Sequence, residues 1–222
     1  MSRSLSRVLV LSFAFALHAQ EIEKLATPAE MPIDRVSDSY AIYQIVLPSD
    51  AIEWSDVPRV QWLLEDTTTA VPLGASCLQG GFMNPHQSLE APDEAQADLA
   101  EVLKDFDAHC HERYRFRGDL LATKIPVHMM DEAAQHRYWA GVNGAVRNAK
   151  SIMEAPPTPD EFKGAAGLHS FSAVYFNRKH SVAIVSFGMG CGSLCGNWTW
   201  VALEKTPAGW RRLPWGGSSV MS

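Results

Sequence analysis

The chain has 222 residues, 46% of them hydrophobic and 20% charged, which excludes collagen-like, fully disordered and polytopic membrane classes. Lys and Arg number 19 and Asp and Glu 25, a net charge of -6 that argues against wrapping nucleic acid, since that requires clustered cations. The length suits a single domain with a short appendage.

At the start of the chain, Arg3 and Arg7 form a positive region ahead of an uncharged apolar run, residues 8–17, and Ala14, Ala16 and Ala19 supply small residues towards its end. That is the pattern of a secretory signal peptide over residues 1–19, with cleavage after Ala19 or, second, after Ala16. The apolar run is too short to cross a bilayer, which takes about 20 residues. No later stretch is apolar enough, so the expected mature protein is soluble, periplasmic or secreted, and without a transmembrane segment.

Residues 20–37 are polar with two prolines and read as a flexible lead-in; residues 38–222 read as the domain proper. Asp38 is placed to cap a short helix over 39–47 that Pro48 stops, although the Ile and Val content also permits a strand. Residues 59–66 read as a strand. Six Gly and Pro between positions 71 and 92 mark a long irregular loop. The clearest helix covers 93–112, where Ala95, Leu99, Val102, Leu103, Phe106 and Cys110 make one apolar stripe. Asp93 and Glu94 open it and His109, His111 and Arg113 close it, in accord with the helix dipole. A short strand is expected at 125–129, a helix capped by Asp131 reaching about residue 140, and loose chain over 141–160.

From Leu168 the pattern becomes β, with runs at 169–177, 181–188, 197–205 and 210–215. Their short connections require antiparallel neighbours, hence a meander over 168–215. Alternation places Phe171, Ala173 and Tyr175 on one face and Val174 and Phe176 on the other, so both faces need cover. The expected fold is α+β: an antiparallel meander of about four to five strands packed against two or three helices.

Three segments carry a resemblance: Leu168-His169-Ser170-Phe171-Ser172-Ala173-Val174, the turn Gly190-Cys191-Gly192-Ser193-Leu194-Cys195-Gly196, and Val201-Ala202-Leu203-Glu204-Lys205 with Gly209-Trp210. Through them residues 161–215 resemble the C-terminal part of a group of uncharacterised exported bacterial proteins. The resemblance implies export and a β-meander and carries no catalytic residues.

The four cysteines of an exported chain admit three pairings. Cys191 and Cys195 flank a turn that can bring them together, and a Cys77–Cys110 bridge would pin the Gly/Pro loop to the long helix; the alternative for Cys110 is a buried thiol. The spacing does not match a thioredoxin-like C-x-x-C. His109 and His111 point about 200° apart on a helix and cannot share an ion with Cys110. Asp105 with His109, or Asp107 with His111, is the better chelating pair, but further ligands are missing, and no metal or cofactor is expected. Glu65 and Asp66 are adjacent in a strand and face opposite ways. His169, Ser170 and Ser172 offer nucleophile and base types without G-x-S-x-G. No phosphate-binding glycine loop is present, and the sequon Asn197-Trp198-Thr199 falls in a strand.

Trp198 and Trp200 share one strand face, either as core or as a stacking platform for sugars or other flat ligands. The function expected is a non-catalytic binding or interaction role at the cell envelope, towards an envelope or extracellular ligand. The alternative is an extracytoplasmic hydrolase whose site is assembled from dispersed residues. A shifted titration at Glu65, Asp66 or His169 in a pocket would favour the enzyme; an exposed apolar patch would favour the binder.

Overall fold

The structure, a computed structural model, describes residues 24–47, 60–78, 84–148, 159–192, 195–216 and 220–221. The signal peptide expected at 1–19 lies outside the described residues.

Helix α1 spans Ile33–Val46. It starts behind Pro32 with Asp34 in its first turn, a proline and an acid where a helix start tolerates and favours them. Its buried residues Ser39, Tyr40, Ile42, Tyr43 and Val46 recur at helical spacing, which decides against the strand alternative. The helix therefore begins inside the expected lead-in, and Asp38 is an interior residue instead of a cap. Its carboxylate accepts hydrogen bonds from Lys205 Nζ at 2.7 Å and Trp210 Nε1 at 3.0 Å, clamping α1 to the sheet.

Strand β1 is Trp62–Glu65 and is followed by the one-turn helix α2, Pro85–Ser88. A 3-10 turn at Asp93–Ala95 leads into α3, Gln96–His109. Then come β2, Val127–Met130, and α4, Glu132–Asn148, whose Ala134 N–H donates to Asp131 Oδ1. Helix α4 runs on through 141–148, part of the segment expected to be loose. The C-terminal strands are β3 Leu168–Phe171, β4 Tyr175–Phe176, β5 Val182–Gly192, β6 Cys195–Thr206, β7 Gly209–Arg212 and β8 Val220–Met221.

These strands form one eight-stranded sheet ordered β2-β1-β3-β5-β6-β7, with β4 paired to β5 and β8 to β6. The fold is α+β, but the sheet is larger than the four to five strands expected, and it is mixed. Strand β1 is parallel to both β2 and β3. The helical crossovers through α3 and α4 make this possible, because parallel neighbours need long connections. The expected antiparallel meander is present: the first run, split into β3 and β4, pairs with β5, and β5 continues to β6 and β7.

The expected facing of residues 171–176 is also corrected. Phe171 pairs with Phe187 and Tyr175 with Ile184, so Ser172, Ala173 and Val174 oppose only Val185 and Ser186. This is a bulge, and the extra residue reverses which side chains share a face. Phe171 joins Val174 and Phe176 under α1, while Ala173 and Tyr175 lie under α3. Ser172 holds the bulge: its Oγ accepts from Ser186 N–H at 2.9 Å and donates to Ala173 O at 2.7 Å. Ser172→Ala is expected to cost about 1–3 kcal/mol by leaving a buried N–H unsatisfied, measured by urea denaturation; no change would mean that the backbone alone sets the bulge.

One face of the sheet is covered by Tyr40, Ile42, Tyr43 and Val46 of α1. The other face is covered in two pieces. Leu99, Val102 and Phe106 of α3 pack on Tyr175, Ile184, Trp200 and Ala202. Ala134, Tyr138 and Val142 of α4, with Phe162, pack on Leu63, Met130 and Leu168. Among the described residues no helix is long and apolar enough to cross a membrane.

Candidate functional site: the row between the two helices

The seam between the α3 and α4 patches is occupied by one row of the sheet. The parallel register ends on Leu63↔Leu168 and Leu64↔His169, and alternation puts the next residues of the two strands, Glu65 and Ser170, on the face of Leu63 and Leu168. Ser170 pairs with Gly188, and Gly188 with Trp198. Directly opposed residues point to the same face, so Glu65, Ser170 and Trp198 project together from three strands.

Gly188 is what lets Ser170 and Trp198 come together. A Cβ at this position would lie 2.7 Å from Trp198 Nε1 and 2.9 Å from Ser170 Oγ. The indole therefore lies across the bare backbone of β5, with its Nε1 and the serine Oγ bordering the same spot. All three side chains are half-buried. Among the described residues the Glu65 carboxylate, the Ser170 hydroxyl and the Trp198 Nε1 have no hydrogen-bond partner, and none of these atoms is sealed from solvent. Buried polar groups are ordinarily hydrogen-bonded. Three unpartnered ones on the same solvent-reachable face of the sheet are a place for a ligand.

Burial pushes the Glu65 carboxyl up to about 7, with the neighbouring Asp66 charge adding to the rise and Arg113 opposing it. Arg113 is itself held away, donating to Thr67 Oγ1 at 2.7 Å. The folded state thus binds the Glu65 proton more tightly than the unfolded chain. Stability is expected to fall as pH rises from about 4.5 through about 7, and Glu65→Gln should remove that part of the slope and stabilise the protein at about pH 8 by about 1–3 kcal/mol. Chemical denaturation of both forms across this range measures it; an unchanged slope in the variant would place the carboxyl in water.

The other sequence candidates fall outside this row. Trp200 is buried at 4% exposure, edge-on to Phe106 at 5.8 Å, so the two-indole platform reduces to Trp198. His169 points to the α1 face, stacked on Phe187 with its Nδ1 3.1 Å from Leu63 O, and cannot serve Ser170. Asn197 of the sequon is paired with Met189 and Met221 inside the ladder.

Neither expected chelating pair is open. Asp105 and His109 are 3.0 Å apart, but the Asp105 carboxylate is already taken by Arg35, at 2.6 and 3.0 Å, and by the Phe176 N–H. Asp107 pairs with His86, not His111. A groove of about 270 Å³ between α3 and the β4–β5 turn is lined by Glu101, Asp105, Asn177, Arg178 and His180. Its polar groups are largely satisfied, Asn177 by Asp98 and Ser181 and Arg178 by Glu101.

No family model matches the chain, and comparisons with curated proteins and with solved structures find no match. The reading of this site rests on its own geometry.

Cys77 and Cys110 are joined by a disulfide, Cα to Cα 6.1 Å, which ties the loop after β1 to the end of α3. No described cysteine is free, and Cys191 is disulfide-bonded as well; the side chain of Cys195, its expected partner, lies outside the described residues.

The sequence signals at Glu65, Ser170 and Trp198 were individually legible, as a carboxylate at a strand end, a serine and a strand tryptophan. Their convergence was not, because it depends on the parallel pairing of β1 with β3.

Proposed function

We propose that this chain is an exported, disulfide-stapled domain that binds a small, flat, polar ligand non-catalytically, in the seam formed by Glu65, Ser170 and Trp198. The observation that carries this reading is that three unpartnered, solvent-reachable polar groups share one face of the sheet, Ser170 and Trp198 meeting across Gly188. The carboxylate accepts hydrogen bonds, the hydroxyl does both, and the indole supplies a donor and an apolar face. A sugar, through its apolar C–H face and its hydroxyls, or a planar molecule rich in donors, satisfies all three.

Export is supported by the N-terminal pattern, by the resemblance of residues 161–215 to exported bacterial proteins, and by the disulfide, since disulfides persist in oxidising compartments. Ligand-observed NMR against a panel of monosaccharides, nucleobases and guanidinium compounds tests the binding reading. Hits that disappear with both Glu65→Gln and Trp198→Leu support it. Hits unaffected by either variant, or a panel without hits, count against it.

One observation favours a second reading, a hydrolase. A carboxyl that titrates near 7 is tuned for general acid or base work at neutral pH. Turnover of activated esters or glycosides, lost in Glu65→Gln, would favour the enzyme over the binder.

A further inference from the structure

At the end of α3, away from that seam, we propose that Cys77, Cys110 and His111 form a zinc site that the disulfide closes and reduction opens. The sulfur atoms of the two cysteines and one ring nitrogen of His111 all lie within 4.8 Å of one another.

The imidazole is set for this role. His111 Nδ1 lies 3.0 Å from the Val71 carbonyl oxygen, so Nδ1 carries the proton and donates. Nε2 is left with its lone pair and sits 3.5 Å from Cys77 Sγ. A backbone carbonyl that fixes the tautomer and aims the free nitrogen is the support that metal-ligating histidines use. In a tetrahedral zinc site with ordinary bond lengths, a sulfur and a nitrogen ligand are about 3.6 Å apart and two sulfurs about 3.8 Å. The present Cys77 Sγ···His111 Nε2 distance already matches such an edge; the two sulfurs have to separate, and Cys110 Sγ starts within 4.8 Å of the ring nitrogen.

The backbone keeps the parts in place while they do. Val71 N–H donates to the Cys110 carbonyl at 2.8 Å, so the loop and the helix end stay joined without the S–S bond. Cys110 is fully buried, whereas Cys77 and His111 are half-buried, leaving a solvent side where water takes the fourth position.

A dithiol reductant delivers two electrons and two protons, the S–S bond breaks, and Cys77 and Cys110 become thiols while the reductant becomes a disulfide. Zn²⁺ then displaces both thiol protons, and two thiolates with a neutral imidazole cancel its charge. Oxidation by a disulfide donor takes back two electrons, re-forms Cys77–Cys110 and releases the ion.

The test uses the full chain carrying Cys191→Ser and Cys195→Ser, so that only one cysteine pair remains, with Co²⁺ as the spectroscopic probe. After reduction by a phosphine, one Co²⁺ per chain should bind with thiolate charge-transfer bands and tetrahedral d–d bands, and Zn²⁺ should displace it. The oxidised chain should show neither band. Adding His111→Ala should weaken Zn²⁺ binding at least ~10-fold, no less than the loss of an outer-shell partner costs. His111→Gln, which preserves a donor towards Val71, should weaken it equally and guards against misfolding of the alanine variant, with circular dichroism of both. Absence of the bands in reduced protein, equal binding in the oxidised form, persistence of the bands in denaturant, or full affinity without His111 would each overturn the proposal.

Discussion

Trp200→Ala is expected to destabilise the protein by about 3–5 kcal/mol, the range for emptying a fully buried large aromatic site. The ring is 4% exposed and stands edge-on to Phe106 of α3 at 5.8 Å, with Tyr175 of β4 at 6.3 Å. Phe106 in turn meets Tyr175 edge-on at 5.1 Å. The three rings are the contact through which α3 covers β4, β5 and β6, so removing one opens a cavity that two elements border and neither can fill. Trp198→Ala should cost much less, since that ring is half-buried and rests on Gly188. Thermal melting of both variants decides the matter. Equal losses, or a larger loss for Trp198, would mean that α3 does not seat on Trp200.

Removing the Cys77–Cys110 bridge, by Cys77→Ser with Cys110→Ala, is expected to cost about 3.7 kcal/mol in the loop-entropy treatment. The bridge spans a sequence separation of 33 and closes a segment that contains α2, the 3-10 turn and the whole of α3. Without it the unfolded chain regains that freedom, while the native state keeps Val71 N–H on Cys110 O and His111 Nδ1 on Val71 O. Alanine at position 110 avoids burying a hydroxyl where the site is fully enclosed. Guanidinium unfolding of the oxidised wild type and the double variant measures the difference. A loss below about 1 kcal/mol would show that the loop is already restricted in the unfolded state.

Local signals were legible where the chain repeats a period over many residues. Leu99, Val102 and Phe106 declared α3 by spacing, and they are its buried face. The short connections after Val182 declared the β5–β6–β7 meander. Pairings between distant segments were not legible. Trp62 meets Val127, and Leu63 meets Leu168, across crossovers that leave no mark in either strand's composition. The bulge at Ser172 was hidden because alternation assumes an unbroken ladder, and a hydroxyl stands in for the backbone there. The same limit applies to the functional residues. That Trp198 and Trp200 share a face followed from period two, but which of them α3 covers depends on packing. His111 at Cys77 Sγ depends on where the Gly/Pro loop folds back, and Glu65 on the same face as Ser170 depends on the parallel pairing of β1 with β3.

The seam is the core of the functional reading, and its sharpest property is a desolvated carboxyl without a partner. Carbon-detected NMR of the Glu65 carboxyl across pH reads that property directly, with Glu65→Gln assigning the signal. A midpoint at about 7 is the predicted result. A midpoint at the ordinary glutamate value of about 4.5 would contradict it, placing Glu65 in water and removing the seam as a candidate site.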